Sequence, residues 1–95
     1  MTAWFYVLRL KSGALYVGAT KDINKRYKEH MDGDASRTTQ LDLPDALIYY
    51  EEFPTFTGAR RREAQVKRWT RAKKEALITG DFAALKALAR RHERK

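Results

Sequence analysis

Five side chains in this sequence could together act on a phosphodiester bond: Tyr6, Tyr16, Arg26, His30 and Glu63. Hydrolysis of that bond calls for a base to activate water, cations to neutralise the phosphate, and a carboxylate that holds a divalent metal at the leaving oxygen. Other chemistries have no such support. The chain contains no paired-histidine helix motif, no glycine-rich loop closing in Gly-Lys-Ser/Thr and no nucleophile elbow. It has no cysteine, which excludes a disulfide scaffold and a thiolate metal site and fits a reducing compartment.

Each of the five also has an ordinary explanation. Tyr6 and Tyr16 suit a β-strand as plain aromatics with hydroxyls at the sheet edge. Arg26 and His30 suit a helix surface, and Glu63 is spaced to pair with Lys67 four residues on. Taken singly, these explanations are the simpler ones. Position decides between them.

Two runs rich in apolar and aromatic residues, 4–10 and 15–19, flank Lys11-Ser12-Gly13-Ala14, which is a hairpin signal. If Leu10 pairs with Ala14, then Tyr16 stands opposite Leu8 and shares a face with Tyr6, whereas a slip of one residue separates the phenols. Gly18 either ends the strand or lets a phosphate or another backbone come close. Asp22 can cap a helix in which Ile23, Arg26, Tyr27 and His30 fall within about a quarter-turn, at about 100° per residue. Gly33 marks its end. Residues 34–45 read as a loop, 46–51 as a third strand, and Pro54 as its stop. Thr57 is placed to cap a helix running to about Trp69, with Ala59, Val66 and Trp69 inward and Glu63 beside that stripe. A further helix starts at Thr70 and runs through Ile78, and another runs from Phe82 to about Arg91, with Phe82, Leu85 and Leu88 inward. The expected class is α+β, a small sheet covered by helices.

Ninety-five residues suit one domain. We expect its core over about 3–78 and a basic C-terminal helix over about 81–95. The N-terminus lacks a charged-then-apolar signal pattern and no run approaches the ~20 apolar residues of a membrane span, so a cytoplasmic protein without a membrane partner is expected. The net charge of +8 is unevenly spread: residues 1–57 carry 7 Lys/Arg against 8 Asp/Glu, and residues 58–95 carry 13 against 4, giving −1 and +9. Basicity gathered in one segment is the footprint of a polyanion binder, most often nucleic acid, although a solvated helical face has the same composition.

Taken together, the motifs resemble the GIY-YIG nuclease superfamily, particularly its small stand-alone bacterial branch. Trp4-Phe5-Tyr6 precedes Tyr16-Val17-Gly18 at the right distance, Arg26 and His30 follow on a helix, and Arg62-Glu63-Ala64-Gln65-Val66-Lys67-Arg68-Trp69 is similar to the family's glutamate helix. The likeness spans residues 3 to about 78. It implies a three-stranded antiparallel sheet flanked by helices that cuts DNA, with RNA left open, using one Mg²⁺ or Mn²⁺ and no small-molecule cofactor. By position it implies Tyr6, Tyr16, Arg26 and His30 as catalytic residues and Glu63 as the metal ligand. Gly18 matches the closing glycine. Nucleic-acid contact falls to Gly18, Lys21, Arg60, Arg61, Lys67 and Arg68. The motif reads Trp-Phe-Tyr in place of Gly-Ile-Tyr, and Ala19 stands where repair-type relatives carry a lysine, with Lys21 two positions later.

Chemistry fits the implied roles. A phenol ordinarily ionises only near pH ~10, so a tyrosine base needs cations beside it, and Arg26 with the basic segment supplies them. The forked guanidinium of Arg26 suits non-bridging phosphate oxygens. A single carboxylate suffices for Mg²⁺, which keeps most of its waters. Against the metal-dependent DNA endonuclease stands a nucleic-acid-binding module on the same fold without turnover, and less favoured, a basic helix that docks an acidic protein.

Overall fold

Strand β1 (Ala3–Leu10) is apolar or aromatic at every position except Arg9, as befits a strand covered on both faces. In the computed structural model, which describes residues 2–81 and 83–87, it is the middle strand of an antiparallel sheet. The sheet order is β2-β1-β3, with β2 at Leu15–Thr20 and β3 at Pro44–Phe53. The turn closes through the Leu10 N–H, which donates to the Ala14 carbonyl at 2.8 Å. Leu8 therefore faces Tyr16 and Tyr6 faces Gly18, so the register that joins the phenols on one face is the one formed.

Alternation along β1 sorts its side chains into two layers. Phe5 and Val7 join Val17, Val66 and Leu77 in one buried cluster, whereas Tyr6, Leu8 and Leu10 form a second one with Tyr16, Ile23, Tyr27 and Leu47 against it. Helices α3 (Phe56–Lys67) and α4 (Arg71–Thr79) contribute to the first layer. Helix α1 (Ile23–Met31) contributes to the second, starting at Asp22, whose carboxylate accepts the Lys25 N–H at 3.1 Å, and ending before Gly33 at φ +78°. The sheet flanked by helices is the α+β architecture expected.

Four boundaries differ from the sequence reading. The stretch 34–45 is not all loop: it contains helix α2 (Arg37–Leu41), capped by Ser36, whose hydroxyl accepts the Thr39 N–H at 3.2 Å. Only Thr39 of its five residues is buried, so no 3.6-residue apolar period betrays it. Strand β3 is longer at both ends than 46–51 because β1 offers partners from Ala3 to Leu10, and Pro44 fits as its first residue. Thr55, not Thr57, caps α3, accepting the Gly58 N–H at 3.1 Å from an extended backbone at φ −134°. The chain thus passes from strand to helix across Pro54 and Thr55 alone, which makes Phe56 the first helical residue. At its other end α3 stops at Lys67, before Trp69. Residues 83–87 are helical and Leu85 packs on the core, while Phe82, Leu88 and the remainder of the C-terminal helix expected to Arg91 lie outside the described residues.

An ion-pair network fixes the angle of α3. The Arg62 guanidinium donates to both Glu51 oxygens at 2.9 and 3.1 Å and to Gln65 at 2.8 Å, and it covers the Trp69 ring at 5.3 Å. Tyr49 donates to the same Glu51 at 2.6 Å. Bidentate pairing of this kind holds a helix to a strand more firmly than a single surface contact. Among the described residues, no helix is long and apolar enough to cross a membrane.

Candidate active site

Tyr6 is almost fully buried, and it lies where it does because Gly18, its partner on β2, has no side chain. A Cβ at Gly18 would fall on the Tyr6 phenol. A tyrosine ring thus fills the space at this glycine where a phosphate or another backbone was expected. Burial, with the neighbouring Tyr16, Glu63 and Glu29 adding to it and Arg26 opposing, pushes the Tyr6 phenol well above its usual range, so it stays protonated.

Its hydroxyl lies 2.7 Å from His30 Nε2, and the opposite ring nitrogen, Nδ1, lies 2.8 Å from Thr39 Oγ1. His30 and Thr39 are both buried, the histidine at 1% exposure. Burial first, then the positive charge of Arg26, holds the imidazole down at about 4 despite the opposing pull of Glu29. His30 is thus neutral at physiological pH. It is a core histidine with both nitrogens engaged, not half of a helix-surface pair with Arg26.

Tyr16 differs from Tyr6. Its ring meets the His30 ring edge-on at 5.0 Å, it is only half-buried, and among the described residues its hydroxyl makes no hydrogen bond. Of the two phenols it is the one able to meet a substrate.

Arg26 leaves α1 half-exposed and lines an open cleft of ≈ 320 Å³ with Thr20, Lys21, Asp22, Lys25 and Glu29. Its guanidinium reaches Glu29 at 3.3 Å, one turn on. At partial exposure such an i,i+3 pair is weak, about 0.3–0.5 kcal/mol, so a phosphate can displace the carboxylate.

Glu63 comes from the opposite layer, on α3, which packs against β2 and β1. Its side chain is 19% exposed, and its oxygens lie 3.5 Å from Arg60 Nε and 3.7 Å from Lys67 Nζ. These contacts are longer than charge-assisted hydrogen bonds, so lone pairs remain available. Among the described residues no three Asp, Glu or His side chains come together. A metal here would have one protein ligand and complete its shell with water and phosphate oxygens, an arrangement that suits Mg²⁺. The residues present fit that ion.

Phe56 links the layers. Lys21 lies over its ring at 5.5 Å and Arg60 at 5.8 Å, which joins the cleft lip to the neighbourhood of Glu63. Of the basic residues singled out in the sequence, Lys21, Arg60 and Lys67 stand near the cleft or Glu63, whereas Arg61 and Arg68, about half a turn of helix from Ala59 and Val66, are exposed on the outer face of α3. Sequence reasoning missed Thr39, Glu29 and Phe56. Glu29 was legible as an i+3 partner of Arg26. Phe56 became legible only once Thr55, not Thr57, was the cap.

On a three-stranded antiparallel sheet, the hairpin brings two tyrosines to one face, α1 adds an arginine and a histidine beside them, and α3 carries Glu63. The chain belongs to the GIY-YIG family, whose catalytic-domain model matches residues 2–76. It is 38% identical over 76 residues to a UPF0213 protein of Staphylococcus saprophyticus, covering 80% of this chain and 93% of that one. A UPF0213 protein of Bacillus pumilus is 40% identical over 75 residues, covering 79% and 76%. The solution NMR structure of a UPF0213 protein from Bacillus halodurans matches with a TM-score of 0.55 at 35% identity, over 83% of this chain and 84% of that one. Membership points to nuclease-type chemistry, divalent-metal use across the family and a nucleic-acid substrate class.

Proposed function

We propose that this protein is a metal-dependent DNA endonuclease that hydrolyses phosphodiester bonds. The observation that carries the reading is geometric: the hairpin register puts Tyr6 and Tyr16 on one face, where both rings meet the His30 ring edge-on at 5.7 and 5.0 Å beside the helix that carries Arg26. In this reading Arg26 exchanges Glu29 for the non-bridging oxygens of the scissile phosphate. Tyr16, half-exposed and with its hydroxyl unengaged among the described residues, acts as its phenolate: it takes the proton of the attacking water and becomes the neutral phenol, while the hydroxide adds to phosphorus and the leaving oxygen departs. Tyr6 and His30 stay neutral beneath it and hold the ring of Tyr16 in place. Glu63 would hold the divalent metal, Mg²⁺ or Mn²⁺, which when bound supplies positive charge at the leaving oxygen. Lys21, Arg60 and Lys67 neutralise flanking phosphates, with Arg61 and Arg68 reserved for DNA that wraps the outer face of α3.

One observation favours the rival reading, a binding module without turnover: Glu63 already has cations on both sides, at 3.5 and 3.7 Å. Glu63→Gln separates the two. The endonuclease reading predicts loss of metal-dependent cleavage across a panel of labelled single-stranded, duplex, flap and branched DNAs, with DNA affinity held or raised because a carboxylate no longer repels phosphate. Exposed pairs of this kind are worth about 0.3–0.5 kcal/mol, so the binding-module reading predicts that the variant changes little. Metal-dependent cleavage that persists in Glu63→Gln would contradict the single-carboxylate site.

A further inference from the structure

The hydrogen bonds around His30 do not stop at Tyr6. From the Tyr6 hydroxyl they run to His30 Nε2 at 2.7 Å, from Nδ1 to Thr39 Oγ1 at 2.8 Å, and from Thr39 Oγ1 to Ser36 Oγ at 2.9 Å and the Ser36 carbonyl at 3.3 Å. The route spans β1, α1 and α2, and Tyr6, His30 and Thr39 each have at most 3% exposure. We propose that Thr39 is a positioning residue of this site, which fixes His30 as the Nδ1–H tautomer so that Nε2 accepts the Tyr6 proton. This deepens the endonuclease reading and rests on it for the catalytic consequence.

The Tyr6 end selects the direction and the Thr39 end accommodates it. The one proton of the Thr39 hydroxyl can go to the Ser36 carbonyl, which only accepts, and the Thr39 oxygen is then left to accept from Nδ1. At the other end, a phenol is a better donor than a neutral imidazole N–H, and an imidazole nitrogen is a better acceptor than a phenol oxygen. The bond is therefore O–H to Nε2, and the Tyr6 oxygen keeps its lone pairs free. Reversing the chain would turn the Tyr6 proton outward and make Tyr6 a donor to whatever stands above it. Thr39 thus decides whether the Tyr6 hydroxyl is spent as a donor on His30 or left to donate elsewhere. Helix α2 is short and contributes just one buried side chain, and that side chain is the one on Nδ1. The tautomer of a functional histidine is commonly set in this way, by the partner of its other nitrogen.

The test is the ¹⁵N NMR pattern of the His30 ring, read by two-bond ¹H–¹⁵N correlation in wild type, Thr39→Val and Thr39→Ser, with single-turnover cleavage of the labelled DNA panel measured beside it. Wild type should show the Nδ1–H pattern. Thr39→Val, close in shape but without the hydroxyl, should lose tautomer purity and slow cleavage roughly 10- to 100-fold through misplacement, with DNA affinity unchanged. Thr39→Ser should restore both. An Nε2–H pattern in wild type overturns the proposal, and so does a Thr39→Val protein whose tautomer and rate are those of wild type. Should Thr39→Val not fold, the wild-type pattern and its retention in Thr39→Ser still decide. The tautomer reading needs no turnover, so an inactive wild type with the Nδ1–H pattern would count against the endonuclease while supporting the Thr39 assignment.

Discussion

The two faces of strand β1 are built on different principles. Toward α3 and α4 the strand presents Phe5 and Val7, which meet Val17, Val66 and Leu77 in a closed apolar cluster whose contacts are interchangeable in kind. Toward α1 it presents Tyr6 and Leu8, and the buried partners there include His30 and Thr39, joined by hydrogen bonds to specific atoms. The first face gives the domain its stability. The second gives one geometry among several that would be similarly stable, because a buried polar group must find its particular partner and an apolar one need only fill space. The candidate site sits at the edge of the second face.

Substitutions should divide along the same line. Phe5→Ala empties a fully buried position on the apolar face and should cost about 3–5 kcal/mol, read as a large drop in the urea midpoint; a loss below about 1 kcal/mol would mean that this cluster is not the core. The next largest effect is one of pH and belongs to the polar face. His30 is held at about 4 in the folded chain against its ordinary 6.5. Between those values the unfolded chain binds more protons, so the contribution of neutral His30 is complete above pH 6.5, declines as pH falls through the window and is gone below about 4. The decline should amount to at most about 3 kcal/mol. Urea unfolding from pH 7 to 4 measures it, and a His30→Gln protein should lack that part of the slope; an equal slope in both would place the titration elsewhere. Smallest is Tyr6→Phe, which preserves shape and strands His30 Nε2, at about 1–3 kcal/mol. Equal costs for Tyr6→Phe and Phe5→Ala would erase the distinction between the faces.

The apolar face was also the more legible in sequence. Ala59 and Val66 recur at helical spacing and Thr70 marked a helix start that the structure keeps, whereas the hairpin register was open until the Leu10–Ala14 pairing was seen. On the polar face, His30 was visible beside Arg26 on the helix face that also carries Ile23 and Tyr27, but its partner Thr39 was not. Thr39 lies in a helix too short for periodicity to reveal, and only the Ser36 cap signalled it. The role of Gly18 was equally hidden, since a glycine in a strand says that something comes close without saying what. In both cases the missing information is tertiary: one element supplies the site, and another, distant in sequence and compositionally plain, supplies the atom that fixes it.

The claim that matters most is the division of labour between the two phenols, with Tyr16 as the base and Tyr6 as its buried support. It is tested most directly by the single-turnover cleavage rate of Tyr16→Phe on the best DNA substrate with saturating Mg²⁺. The rate should fall about 10²–10⁴-fold, with melting temperature and DNA affinity near those of wild type. Cleavage by Tyr16→Phe at the wild-type rate would contradict it.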